Sequence, residues 1–441
     1  MAKRRKESPT GSKGFYKPLF DLCVVGQGHI GLPTAVTFAA ADLSVLGVDV
    51  EAQLVEELNN GVTHITEPGL QDSLQAVIKR GKYKAALNPE PANAFIVSVP
   101  SPIDENNQPV LDYILAAAKA IAPHLRPGSL VILESTVPPG TTAGVFVDVL
   151  AANSSVNSSE YLVAHCPERV LPGQILHELI HNDRVVGGLT AEASQAALQL
   201  YCNFVKGEIV VTNATTAELV KLSENIYRDV NIGLANELAL AAESLGVDVW
   251  QATVIANRHP RVNIHQPGPG VGGYCIPVAS VFLAAGTDVS TPTIDGARYV
   301  NSIQPQRASD RLNELLANVD NPVVAIMGVA YKGNVGDARA TPADSIIENL
   351  KKAGATVKVH DPLATNSNHD LVSLETALEG ADAAVFITDH DQFSDIDPDT
   401  AAKLMRGRIV FDGRNILPLE KWQEAGFAVT RLGDGTARPA P

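Results

Sequence analysis

The stretch from Leu22 to Asp49 leaves this chain few folds to choose from. Leu22-Cys23-Val24-Val25 is an apolar run the length of a buried strand, and Gly26-Gln27-Gly28-His29-Ile30-Gly31 follows it without a gap. A helical stretch from Pro33 to Ala41 leads to a second apolar run, Val45 to Val48, which ends at the acid Asp49. Strand, G-x-G-x-x-G turn, helix, strand and acid in that order make a βαβ unit. Gly26, Gly28 and Gly31 then let backbone approach a pyrophosphate, and the helix N-terminus offers it free N–H groups. A carboxylate at Asp49 can accept from both ribose hydroxyls and would repel a 2′-phosphate, so NAD is expected rather than NADP. Without a cofactor, the same pattern would be a tight turn in a doubly wound fold.

The alternation continues along the chain. Ala94 to Val99 reads as a strand ending in Pro100-Ser101-Pro102, Leu111 to Ala122 as a helix, and Leu130 to Leu133 as a strand ending in Glu134-Ser135-Thr136. Ligands of open parallel sheets lie beyond the carboxyl ends of the strands, which makes Ser101 and Thr136 candidate cofactor contacts. From Thr215 the pattern changes. Thr215-Thr216-Ala217-Glu218 has the form of a capping box, and helical periodicity then runs to about Leu245, where Gly246 supplies a stop. Such a helix is on the order of 45 Å long, more than one face of a small sheet needs, and is expected to be a spine between domains. A second βαβ pattern follows: strand Val323 to Met327, helix Pro342 to Ala353, strand Thr356 to His360 and the acid Asp361. The expected architecture is α/β, two doubly wound Rossmann-like domains joined by a helical middle domain. The divisions fall at a disordered basic tail (1–17), a dinucleotide-binding domain (18–212), a helical central domain with the cysteine loop (213–315) and a C-terminal domain (316–441).

Composition narrows the function. Among 441 residues the formal net charge is -15, which argues against nucleic acid as a partner, since neutralising phosphates needs a basic surface. No apolar run approaches the roughly 20 residues that span a bilayer, and no apolar stretch follows the basic residues Lys3 to Lys6 as a signal peptide requires. A cytoplasmic protein is expected. Cys23, Cys166, Cys202 and Cys275 form no C-x-x-C pair and match no zinc spacing, so no metal is expected and the thiols are read as reduced.

The segment Gly268 to Pro277 is the least generic in the chain, with glycine at 268, 270, 272 and 273 ahead of Tyr274 and Cys275. A cysteine closing such a loop, near a helix start, sits where a thiolate is stabilised, although a glycine-rich turn capped by a buried cysteine would read the same. Lys221, Asn225 and Arg228 are spaced to share one face of the long helix, and Asn gains little on a merely solvated face. A hydride-transfer enzyme with a cysteine nucleophile suggests oxidation of an alcohol through aldehyde, thiohemiacetal and thioester to the acid, with two NAD consumed.

Five stretches carry a resemblance to the UDP-glucose/UDP-N-acetylmannosamine dehydrogenase family. They are Glu134-Ser135-Thr136-Val137-Pro138-Pro139-Gly140-Thr141-Thr142, Cys166-Pro167-Glu168-Arg169-Val170-Leu171-Pro172-Gly173, Lys221 to Asn231, Asn257-Arg258-His259-Pro260-Arg261-Val262-Asn263 with the glycine loop, and Tyr331-Lys332-Gly333-Asn334 with Asp337-Ala338-Arg339. The second and fourth are similar to the branch that oxidises UDP-N-acetyl-D-mannosamine to its uronate, with UDP-N-acetylglucosamine 6-dehydrogenases as the alternative. The resemblance implies Cys275 as nucleophile, Lys221 as proton donor and acceptor with Asn225 assisting, and a place for Glu168 in managing water. Arg169, Val170, Lys221, Asn225, Arg228, His259, Arg261, Gly272, Tyr331, Lys332 and Arg339 would contact the UDP-sugar. Ile30, Asp49, Ser101 and Thr136 would contact NAD. It also implies a homodimer with shared substrate sites, and a usual setting in surface-polysaccharide synthesis.

The chain departs from the family pattern at four places. Tyr274 stands where His precedes the cysteine, and Ala279-Ser280 where Asp-Pro follows it. His29 replaces a Tyr in the dinucleotide turn, and Gly336 precedes Asp337. The missing Asp would hold the hydrolytic water. Losing one acid–base group typically costs about a hundredfold to ten-thousandfold, which leaves an enzyme with slow thioester release. A protein that binds NAD and UDP-sugar without turnover is one alternative, and a two-electron hydroxy-acid dehydrogenase that does not need the cysteine loop is another.

Overall fold

The computed structural model describes residues 19–436. The expected disordered tail, 1–17, lies outside them.

Two sheets organise the described chain. The first contains β1 (Phe20–Val25), β2 (Val45–Val48), β3 (Tyr83–Ala86), β4 (Ala92–Val97), β5 (Leu130–Leu133), β6 (Leu162–His165), β7 (Arg184–Gly188) and β8 (Ile209–Asn213), in the order β3-β2-β1-β4-β5-β6-β7-β8. The pairs are parallel except β6 with β7. The strand order reverses between β1 and β4, where a doubly wound sheet opens a crevice at its carboxyl edge. The second sheet contains β9 (Val323–Met327), β10 (Thr356–His360), β11 (Ala383–Phe386), β12 (Ile409–Asp412) and β13 (Ala428–Arg431), all parallel, in the order β10-β9-β11-β12-β13. Its reversal lies between β9 and β11.

Both faces of the second sheet are covered, which is why its central strands β9 (VVAIM) and β11 (AAVF) read as unbroken apolar runs. Side chains alternate between faces, so Val324, Ile326 and Val385 enter one buried cluster while Ala325, Met327 and Phe386 enter another. In the first sheet Leu22, Val24, Ile96 and Ile132 pack with Leu32, Val36 and Phe38 of the helix Gly31–Ala40.

The long helix spans Ala214–Leu245, and Gly246 ends it with φ +70°. Its start differs from the capping box read from the sequence. Asn213 caps it, accepting the Thr216 N–H at 2.8 Å, while Glu218 instead accepts the Gly140 N–H at 2.6 Å. A long-range backbone donor has taken the carboxylate that the local motif would have used.

The chain divides into two compact units. Among the described residues, one comprises 19–100, 112–135 and 142–217; the other comprises 101–111, 136–141 and 218–436. The division falls within the long helix, between Ala217 and Glu218. Among the described residues no helix is long and apolar enough to cross a membrane.

Candidate active site

In the first unit the turn after β1 is shaped by close backbone approach. A Cβ at Gly31 would lie 1.9 Å from the Gly26 carbonyl oxygen, so only glycine lets the helix start there. A Cβ at Gly28 would meet no protein atom within 4 Å, which leaves the turn open to a phosphate. Ile30 is half-buried at the helix N-cap. Asp49, half-buried at the end of β2, accepts the Gln27 N–H on Oδ2 at 2.9 Å and the Glu51 N–H on Oδ1 at 3.2 Å. A carboxylate offers about four acceptor positions, so each oxygen keeps one for a ribose hydroxyl, and the turn fits NAD. Gln27, which the sequence reading passed over as an x in the motif, is buried. It donates to the Val24 and Gly26 carbonyls and accepts from Tyr83 at 2.9 Å.

The loop after β6 carries Glu168, Arg169 and Val170, all half-buried. Two carboxylates from elsewhere hold it. Glu67 accepts the N–H groups of Gly173 and Ile175 at 2.8 and 2.7 Å, and Glu178 accepts that of Leu171 at 2.7 Å. Arg169 donates to the Asp183 carbonyl at 2.9 Å. Behind the loop, buried Arg184 pairs with buried Glu134 at 3.5 Å and lies 3.8 Å from the Cys166 sulfur. Burial pushes the Cys166 thiol pKa up, against the pull of Arg184. His165, fully buried, is pushed down to about 3 by desolvation.

In the second unit Cys275 is exposed and is the first residue of the helix Cys275–Ala285. Unpaired N–H groups and the helix dipole favour negative charge at such a position. The other thiols are poorer nucleophile candidates. Burial raises Cys23 to about 12, and Cys202 caps the C-terminus of Ala191–Tyr201, the negative end of that helix.

The long helix holds the cysteine loop at both ends. Asn225 donates to the Cys275 carbonyl at 3.0 Å, and Asn236 accepts the Gly268 N–H at 2.9 Å. Eleven residues are three turns, so both amides lie on one face. Lys221, one turn before Asn225, is buried on that face with Asp229. Arg228 follows one turn after Asn225; it is exposed, and its guanidinium reaches back to the Asn225 side-chain oxygen Oδ1. Ala279 is buried beside Leu222, Ile226 and Phe282, so position 279 is part of an apolar contact between the two helices. Ser280 is also buried and donates to the Pro277 carbonyl at 3.3 Å.

A second loop adjoins the cysteine. Cβ atoms at Gly272 and Gly273 would come within 2.9 and 3.0 Å of the Tyr331 side chain, and the Gly273 N–H donates to the Ala340 carbonyl. Burial first, then the nearby Cys275 and Asp337, raise the Tyr331 pKa. Arg339 pairs with Asp337 at 2.6 Å and lies 5.7 Å from the Tyr274 ring centroid. Lys332 is exposed on the same loop as Tyr331. Arg414, absent from the sequence reading, faces Gly268, where a Cβ would sit 2.4 Å from its guanidinium. Its signal was Asp412-Gly413-Arg414-Asn415 at the carboxyl end of β12. His259 and Arg261 are exposed on a loop clamped by the Asn257 side chain, which bonds both polar backbone groups of Ile264. Ser101 and Thr136 belong to the short segments, 101–111 and 136–141, that group with the second unit.

Comparison with known proteins agrees with this arrangement. Three domains of the UDP-glucose/GDP-mannose dehydrogenase family match in succession: the NAD binding domain at 20–205, the central domain at 215–302 and the UDP binding domain at 325–418. A UDP-N-acetyl-D-mannosamine dehydrogenase of Methanococcus maripaludis is 42% identical over 425 residues, covering 94% of this chain and 97% of that protein. An NDP-N-acetyl-D-galactosaminuronic acid dehydrogenase of Ralstonia nicotianae is 43% identical over 408 residues, covering 90% and 96%. The solved structure of a UDP-D-ManNAc dehydrogenase from Pyrococcus horikoshii has a TM-score of 0.89 at 41% identity, covering 94% of this chain and 99% of that one. The chain therefore belongs to the UDP-glucose/GDP-mannose dehydrogenase family, as an NAD-dependent oxidoreductase with that family's UDP-binding domain.

Proposed function

We propose that this protein oxidises UDP-N-acetyl-D-mannosamine to UDP-N-acetyl-D-mannosaminuronate through a covalent intermediate on Cys275. The observation that carries the reading is the setting of Cys275: exposed at a helix start, its carbonyl bonded by Asn225, with Lys221 one turn away on the same buried face. NAD, held at Gly26, Gly28, Ile30, Gly31 and Asp49 with Ser101 and Thr136, would accept the hydride of each oxidation. Lys221 takes the proton of the C6 alcohol as the aldehyde forms. The Cys275 thiolate adds to the aldehyde carbon, giving a thiohemiacetal that oxidises to the thioester. Water then cleaves the C–S bond, releasing the carboxylate and returning the thiol. Four electrons leave the sugar, so two cofactors are reduced per product. Glu168 or Lys221 manages the water, because position 279 has no carboxylate.

Arg169, Val170, Arg228, Tyr331, Lys332, Arg339 and Gly272 are assigned to the UDP-sugar, and Arg414 joins them. Guanidinium and ammonium groups suit a diphosphate because they donate charge-assisted hydrogen bonds. His259 and Arg261, exposed on their clamped loop, are assigned to the partner subunit's site in a homodimer. The three functional domains are drawn at 18–212, 213–315 and 316–441. The reaction is placed in the cytoplasm, where its soluble cofactor and reduced thiols belong.

The test is NADH production against UDP-N-acetylmannosamine, UDP-N-acetylglucosamine, UDP-N-acetylgalactosamine and UDP-glucose, counting cofactor per sugar. Two NADH per N-acetylmannosamine sugar is the expected result, with slow release visible as an acylated Cys275 by intact-mass spectrometry. No NADH with any of the four would sink the proposal. The 43% identical Ralstonia relative makes the N-acetylgalactosamine sugar the second reading.

A further inference from the structure

The second βαβ unit repeats the first as far as its acid and then uses that acid differently. Asp361 follows β10 as Asp49 follows β2, yet its side chain and that of His390 are both 0% exposed. Oδ1 of Asp361 accepts the N–H groups of Leu363 and Ala364 at 2.9 and 2.8 Å. Oδ2 accepts those of Val329 and Ala330 at 2.7 and 3.0 Å, and His390 Nε2 lies 3.1 Å away. Five donors saturate the roughly four acceptor positions of a carboxylate, so Asp361 has none left for a ribose hydroxyl. The acid is an anchor.

The imidazole is fixed from its other side. Nδ1 of His390 lies 3.0 Å from the Asn334 backbone nitrogen, whose N–H can only donate. Nδ1 is therefore the acceptor and Nε2 carries the proton toward Asp361. Neighbouring residues complete the attachment. Thr388 donates to the Ala330 carbonyl at 2.7 Å, Gly333 donates to Asp389 at 3.0 Å, and Asp391 donates to the Asn334 side chain at 3.1 Å. The loop after β9 is thus tied at Val329–Ala330 and again at Gly333–Asn334. Tyr331 and Lys332 lie between the two ties. The tying residues follow β11, across the point where the strand order reverses.

We propose that His390, backed by Asp361, is a positioning residue that presents Tyr331 and Lys332 to the nucleotide of the substrate. This rests on the assignment of that loop to the UDP-sugar. Two substitutions separate the halves of the imidazole. His390→Asn keeps an acceptor at the δ position for Asn334, and His390→Gln keeps a donor at the ε position for Asp361. The readouts are amide hydrogen exchange across 331–334, calorimetric affinity for UDP, and KM and kcat in turnover.

His390→Gln is expected to speed exchange at Asn334 at least tenfold, weaken UDP about tenfold and raise KM for the UDP-sugar. The KM for NAD and kcat should stay within about twofold. His390→Asn should keep Asn334 protected and UDP affinity within about threefold. Equal behaviour of the two variants, or unchanged exchange in His390→Gln, overturns the proposal. If neither variant folds, the exposed Asp389 provides the check. Asp389→Ala should speed exchange at Gly333 and weaken UDP severalfold, and Asp389→Asn should restore both; no change in Asp389→Ala overturns the proposal. A wild-type protein that does not bind UDP removes the substrate assignment itself. A wild type that binds UDP beside a His390→Gln variant that binds equally well removes the positioning role alone.

Discussion

Cys23 and Cys275 are the same side chain in opposite settings. The first is buried in β1 with its thiol held up to about 12, and the second is exposed where a helix begins. The covalent role therefore makes a direct prediction. Cys275→Ser should lower steady-state NADH formation by about a hundredfold or more, since a hydroxyl without a strong base is a poor nucleophile. Full activity in that variant would point to a two-electron dehydrogenase. His165 gives a prediction about stability. The unfolded chain binds a proton on this ring below 6.5, whereas the folded chain refuses it until about 3. Stability is then fully present above pH 6.5 and is lost as pH falls through that window, at up to about 1.4 kcal/mol per pH unit. Denaturant midpoints measured between pH 7 and pH 4 should show a shallower loss in His165→Leu than in the parent. Parallel pH curves would contradict it.

At the scale of elements, the long helix has two opposed faces. One carries Lys221, Asn225, Asp229 and Asn236, all buried. Asn236 links the Gly268 N–H to Asn301 at 2.9 Å, and Asn301 in turn donates to Asp229 at 2.8 Å. Removing a partner from a buried bond of this kind costs about 1–3 kcal/mol. Asn236→Ala should lose that much in urea denaturation and slow turnover by loosening the cysteine loop, while NAD affinity stays unchanged. A fully active, equally stable variant would show that the loop does not depend on the helix. The sequence revealed Lys221 and Asn225 because their spacing is local. It did not reveal Asn236, whose partners lie 32 and 65 residues away. The helix start was misread for the same reason: Glu218 fits a capping box locally, but a backbone donor 78 residues away holds it.

At the scale of the molecule, the other face of the long helix bears on assembly. Tyr227, Leu234, Leu238 and Leu245 fall within one stripe and are 51%, 44%, 36% and 75% exposed. An apolar stripe on a spine of this length is where the proposed homodimer would form. The pair Leu234→Glu and Leu238→Glu should convert a dimer to a monomer by light scattering and abolish turnover if the sites are shared. A monomeric, active wild type would dispose of the dimer. The sequence by itself determined the doubly wound α/β pattern, the dinucleotide turn with Asp49, the long helix and the candidate cysteine. Periodicity, glycine spacing and strand-end acids are local properties, legible within a few turns of chain. Only the tertiary structure decided how those parts are held: Gln27 against Asp49, Glu67 beneath the Arg169 loop, Asn236 at the cysteine loop, Arg414 at Gly268 and His390 behind Tyr331. Each depends on a donor meeting an acceptor, or a side chain meeting a backbone, brought together from segments distant in the chain. No local pattern encodes such a meeting.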